Sequence, residues 1–145
     1  MKTRAKMIMG LVGCLGLVCF VACGDSDGEE DTYTLSGNAI LSSAPDGVIA
    51  YLKLVVSGGS GNAEALYYAV SEPFSGGQAA YSVSGIEAGS YTGHAFVDMN
   101  GNAAGDGSSM PDSGDYVSSE GHDILIDGDK QEDIPEAAWI LYPGP

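Results

Sequence analysis

The stretch YSVSGIEAGSYTGHAFVD, residues 81–98, decides the fold. Tyr81 and Val83 alternate with serines, as a half-buried strand does, and Tyr91, Ala95 and Val97 resume the alternation after a break. The break, Gly85-Ile86-Glu87-Ala88-Gly89, is a tight connection. The same grammar of short apolar runs cut by Gly, Ser, Asn and Asp extends in both directions. Upstream, Tyr33, Leu35, Ala39 and Leu41 share one parity with Gly37 between them, and Pro45-Asp46-Gly47 has the chemistry of a turn. Residues 48–56 alternate on two faces, Val48, Ala50, Leu52, Leu54 and Val56 against Ile49, Tyr51, Lys53 and Val55, which places that strand in the middle of a sheet.

After a flexible loop at residues 57–62, residues 64–70 form a strand with Leu66, Tyr68 and Val70 on one side. Downstream of a long Gly/Asp-rich loop, Ile124 and Ile126 mark a sixth strand and residues 138–142 a seventh, closed by Pro143-Gly144-Pro145. No segment sustains helical spacing, and each interior glycine costs a helix about 1 kcal/mol. The expectation is an all-β fold, a seven-stranded antiparallel β-sandwich. Its core is expected at Leu35, Leu52, Leu54, Leu66, Tyr68, Val83, Tyr91, Val97, Ile126 and Trp139.

The first 32 residues follow different rules. Lys2, Arg4 and Lys6 make a basic start, residues 7–22 are unbroken apolar or small, and an acidic run begins at Asp25. The apolar run falls short of the roughly 20 residues that cross hydrocarbon as a permanent helix, so the pattern is a secretory signal. All three cysteines, Cys14, Cys19 and Cys23, lie in this part, which leaves the downstream domain no disulfide framework. Phe20-Val21-Ala22-Cys23 resembles a bacterial lipobox. Leu11-Val12-Gly13-Cys14 also fits, but cleavage there would leave an apolar segment of only about seven residues and a hydrophobic new N-terminus, too little for a signal. The lipoprotein resemblance implies diacylglycerol on the Cys23 thiol and palmitate-type acylation, an anchor needing no transmembrane helix. The organisation expected is a signal peptide at 1–22, lipidated Cys23 with an acidic tether at 23–32, and the sandwich at 33–145. Gly24, in place of the Asp that resembles an inner-membrane retention signal, favours the outer membrane over the inner within the cell envelope.

Charge divides the same way. Beyond the signal only Lys53 and Lys130 stand against 20 acids. Two lysines build no patch that could neutralise phosphates, which excludes nucleic acid as a partner, and the acidic surface is repelled by anionic headgroups.

Residues 81–91, continuing through Ala95-Phe96-Val97-Asp98, resemble the transthyretin-like or carboxypeptidase-regulatory-like domains of bacteria. In those a Gly-hydrophobic-x-x-Gly-x-Tyr turn precedes a strand that delivers an Asp-x-Asn-Gly-Asn loop. The resemblance implies an Ig-like/transthyretin-like sandwich acting as an accessory or adhesive module without catalytic residues. The loop it highlights, Asp98-Met99-Asn100-Gly101-Asn102, places oxygen-bearing side chains at alternate positions, a pattern suited to Ca²⁺ with its six to eight oxygens at about 2.3–2.6 Å. Two registers remain open. In one, Asp112 and Asp115 complete the set beyond an insertion at residues 103–109; in the other, Asp106 takes the ninth position and Ser109 the twelfth.

Catalytic patterns are otherwise missing. His94 and His122 alone cannot build a four-ligand zinc site, and no Gly-x-Ser-x-Gly elbow occurs. The sequence thus points to a non-enzymatic, membrane-anchored envelope lipoprotein, a structural or interaction module whose partner is an envelope protein or glycan. The alternative is a carbohydrate- or peptide-binding module using exposed Tyr67 or Trp139 beside the Asp98 loop. A hydrolase would need a concave pocket holding His94 or His122 next to a carboxylate.

Overall fold

The computed structural model describes residues 31–105 and 108–144, all-β apart from one 3-10 turn. Cys23, the signal segment, most of the acidic tether and Asp106 lie outside the described residues. Among those described, no helix is long and apolar enough to cross a membrane.

Among the described residues nine strands form two sheets: β1 (Thr32–Ile40), β2 (Ile49–Val56), β3 (Tyr67–Val70), β4 (Gln78–Glu87), β5 (Gly89–Asp98), β6 (Tyr116–Ser118), β7 (His122–Ile126), β8 (Lys130–Gln131) and β9 (Trp139–Leu141). The first sheet runs β4-β1-β8; the second runs β3-β2-β5-β6-β9, with β7 also on β5. β7 pairs with β5 over Gly89 to Gly93, and β6 takes over at Phe96 and Val97. Where the two partners leave a gap, the Ala95 N–H donates to the Ser118 hydroxyl at 3.1 Å.

The alternation read from the sequence sets the core. Leu35, Ala39, Leu52, Leu54, Val83, Tyr91, Val97, Ile126 and Trp139 are buried in one cluster drawn from both sheets. Each large apolar side chain buried there contributes about 1.5–3 kcal/mol against exposure. The β4 face changes parity at Gly85, which has φ 75°. Opposite Tyr33 and Leu35, β4 carries one extra residue between Val83 and Ile86. That bulge turns Ile86 inward beside Tyr81 and Val83, where strict alternation would have put it in water.

Four expectations are corrected. Leu66 is 52% and Tyr68 48% exposed, because β3 begins only at Tyr67 and its inward residue is Ala69. A shift of one residue exchanges the two faces of a strand. The described residues hold nine strands instead of seven, since β6 and β8 are too short to show alternation. The sheets are not wholly antiparallel either: β8 runs parallel to β1. Finally, the connection at residues 85–89 is a corner between sheets, because β4 continues to Glu87 and only Ala88 separates it from β5.

That corner is locked by tyrosines. The Tyr91 hydroxyl donates to the Glu87 carbonyl at 2.9 Å, the Tyr67 ring meets Tyr91 edge-on at 5.7 Å, and the Glu87 N–H donates to the Tyr67 hydroxyl at 3.3 Å. Such a tyrosine reaching back to a nearby backbone carbonyl recurs at sandwich corners. Burial, then the Tyr67 hydroxyl, pushes the Tyr91 phenol up to about 12. Tyr91→Phe keeps the packing and deletes the bond, so it should lower stability by about 1 kcal/mol, read from the urea midpoint.

The outer edge of β1 is closed by residues 129–136 in an unusual way. Backbone bonds run from Glu132 N–H to Ser36, from Ile134 N–H to Asn38, and from Ile40 N–H to Ile134. Between them, side-chain carboxylates take the remaining donors. Asp129 accepts from Thr34 N–H, Asp133 from Asn38 N–H, and Glu136 from Ser42 N–H and hydroxyl. The Ser42 hydroxyl and then its backbone N–H hold the Glu136 carboxyl below the usual carboxylate range. A depressed pKa means this stabilisation is complete above the unfolded-state value and is lost as pH falls through the folded one. Glu136→Gln should therefore melt below wild type at neutral pH, with the two curves converging in acid.

Candidate functional site

The outer face of the larger sheet carries an apolar row that crosses five strands in register: Val70, Tyr51, Phe96, Val117 and Ile140. Tyr51 and Phe96 stack with centroids 4.9 Å apart and planes 20° from parallel. A second row, Tyr68, Lys53 and His94, lies two residues along. Residues on this face normally meet solvent. Here the segment Ser109-Met110-Pro111 and the loop at Gly61 and Asn62 rise over it, and Tyr142 closes one side. The result is a cavity of about 220 Å³ with aromatic and aliphatic walls. A shallower hollow continues past Tyr68 and Met110 to Leu66.

Two basic side chains line it, beside Asn62 and several hydroxyls. Lys53 Nζ donates to the Ala63 carbonyl at 3.2 Å and lies 4.0 Å from Met110 Sδ. Burial lowers its pKa. The ion pairs among the described residues are His122–Glu132 and Lys130–Glu132, so Lys53 has no carboxylate partner. His94 Nε2 donates to the Gly59 carbonyl at 2.9 Å, which in the neutral imidazole leaves Nδ1 as the acceptor.

The roof is anchored by the acids that the sequence singled out. Asp98 ends β5 almost wholly buried, and its carboxylate collects four backbone N–H groups. Oδ1 accepts from Gly101 at 2.7 Å and from Asn100 and Asn102 at 3.3 Å, while Oδ2 accepts from Ala103 at 2.9 Å. Asp115, buried at 1% exposure, accepts from Met99 N–H and Asp112 N–H, both at 2.9 Å. Asp112 in turn accepts from the side-chain amides of Asn100 and Asn102. Asp98, Asn100, Asn102, Asp112 and Asp115 are thus brought into one network, with both oxygens of each carboxylate facing protein donors. Among the described residues, no group of three or more His, Cys, Asp or Glu side chains is arranged to hold a metal ion. A Ca²⁺ ion would have to displace the Asn100 and Asn102 amides from Asp112.

The aromatic residues first considered as a platform are placed elsewhere. Trp139 is buried, with its indole N–H donating to the Ile40 carbonyl at 2.8 Å, and Tyr67 packs into the corner against Tyr91. Tyr51, Tyr68, Phe96 and Tyr142 form the aromatic surface beside the Asp98 loop instead. The requirement for a hydrolase is met by neither histidine. Among the described residues, His94 lines the cavity without a carboxylate beside it, and His122 pairs with Glu132 on an exposed surface outside it. Lys53 was the missed residue. Its signal was a lysine at an outward position between Tyr51 and Val55 on a strand otherwise apolar on both faces. No protein-family model, no curated protein and no solved structure matches the chain.

Proposed function

We propose that this chain is a lipid-anchored envelope lipoprotein whose sandwich, of the Ig-like or transthyretin-like kind, is a recognition module and not an enzyme. Cys23 carries the lipid, residues 24–32 space the domain from the membrane, and the outer membrane is its place. The observation that carries the recognition half is the roofed aromatic cavity on the outer sheet face. Sandwich faces without a role are polar; this one presents five apolar residues in register, and the middle three, Tyr51, Phe96 and Val117, line a cavity beside a loop pinned by two buried aspartates. Its polar groups, an unpaired lysine, an imidazole acceptor, an amide and hydroxyls, suit orientation of a ligand more than acid–base chemistry. The acidic loop serves as the roof support, and calcium is not needed for this reading.

Both halves are open to test. Intact mass of the membrane-extracted protein should show acylation at Cys23, and Cys23→Ser should release the chain to the aqueous fraction; a membrane-bound mutant overturns the anchor. For the cavity, benzamide serves as a neutral flat probe, since an engineered void of about 150 Å³ already admits benzene. It is expected to shift backbone resonances of Tyr51, His94, Phe96 and Met110 in the full-length protein. Absence of shifts at these residues with both benzamide and benzoate overturns the recognition reading.

A further inference from the structure

We infer that the cavity takes a small organic acid, one carboxylate on a flat apolar body, with Lys53 as the anion-binding group. The inference rests on the cavity being a recognition site and goes further by naming the ligand's chemistry.

The argument starts from charge. Beyond the signal segment the chain has two lysines and 20 acids. A lysine in such a chain has abundant carboxylates to pair with, and Lys130 does so, 3.3 Å from Glu132. Lys53 does not. It stands between Tyr68 and His94 on the outer face, and among the described residues its ammonium meets only a backbone carbonyl and a thioether sulfur. Among the described residues no Asp or Glu lines the cavity, and Glu64, on the adjoining hollow that Lys53 also lines, makes no ion pair with it. A half-buried ammonium without a counter-charge is held at a cost, consistent with the lowered pKa that burial gives it. An incoming carboxylate removes that cost and takes the N–H that the protein leaves unused. A cationic ligand would be repelled, and a neutral one would leave the ammonium unpaired.

The body of the ligand follows from the walls. Stacked Tyr51 and Phe96 form the floor, Tyr68 one side and Met110 the roof, an apolar slot whose volume of about 220 Å³ admits a single substituted ring. In the neutral ring the His94 Nδ1 acceptor faces no donor among the described residues, so a hydroxyl on the ligand finds a partner there. The surrounding acids act over longer distances, and salt screens them beyond about 8 Å at physiological ionic strength. A direct contact with Lys53 is not screened in this way.

Isothermal titration of the full-length protein with benzoate and with benzamide, its neutral counterpart of the same shape, tests the inference. Benzoate is expected to bind about tenfold tighter. In Lys53→Met, which keeps the aliphatic stem, that advantage should vanish while benzamide affinity is retained; in Lys130→Met it should persist. Thermal melts confirm that each variant is folded, and the wild-type comparison stands without any variant. Equal binding of acid and amide, indifferent to Lys53→Met, overturns the anionic ligand and leaves the recognition reading intact. Cavity resonances that move with benzamide and not with benzoate have the same consequence.

Discussion

Gly37→Ala is expected to destabilise the protein by about 3 kcal/mol or more, the upper range for overfilling a packed interior. Gly37 has ordinary backbone angles, so conformational freedom is not the issue. A methyl group on it would sit 1.7 Å from the Glu132 carbonyl oxygen and 3.0 Å from the Tyr81 hydroxyl. That carbonyl projects into the space where an inward side chain would belong, and the Tyr81 hydroxyl donates to it there. Any side chain at residue 37 forces residues 130–134 away from β1. The bonds from Glu132 to Ser36 and from Ile134 to Asn38, each 2.8 Å, are the first to go. Urea unfolding gives the loss, and amide exchange should accelerate at Ile40, Glu132 and Ile134 ahead of the larger sheet. A Gly37→Ala midpoint equal to wild type would mean that the contact is not part of the folded state.

Asp98→Ala comes next, at about 3 kcal/mol, with Asp98→Asn intermediate. A hydrogen bond to an ionised group is worth about 1.5–3 kcal/mol, and donors stranded in a buried loop add their own desolvation cost. Asp98 meets four backbone donors, two of them at long distances, so the bonds do not sum to four full contributions. Asn keeps one acceptor oxygen and recovers part of the loss. The same melts in EDTA and in millimolar calcium should coincide for wild type. A calcium-dependent stability that Asp98→Ala abolishes would instead assign the carboxylate to an ion. Because the loop carries Met110, loosening it should also weaken benzamide and benzoate alike, which separates a roof defect from the charge-specific effect of Lys53→Met.

The strands of this protein were legible wherever alternation ran long enough to be read. Leu35, Leu52, Leu54, Val83 and Val97 follow from period two alone. Alternation says that two faces differ without saying which is inside. At β3 the larger residues Tyr68 and Val70, with Leu66 just before the strand, face outward and the small Ala69 faces in. The pairing of β8 left no trace, since two residues carry no period and the supporting contacts include two carboxylates bonding to β1 and a third bonding to Ser42 just past its end. At the site, sequence picked out the acids of the 98–115 loop by their oxygen spacing, and could not show that backbone amides converge on Asp98. Lys53 escaped notice because its surroundings are made by residues 61–62 and 109–111, distant in the chain and joined only by folding.

The closing of β1 by the last strands also governs the order of events in time. The indole of Trp139 reaches a carbonyl 99 residues earlier, and the carboxylates of Asp129, Asp133 and Glu136 reach back 94 or 95. Contacts of such long sequence separation make for folding in milliseconds to seconds, not microseconds. Until residues 129–139 have emerged, whether from a ribosome or through a translocation channel, the smaller sheet lacks one side. A chain shortened there should remain a substrate for chaperones and proteases, and a complete one should become resistant in a single late step.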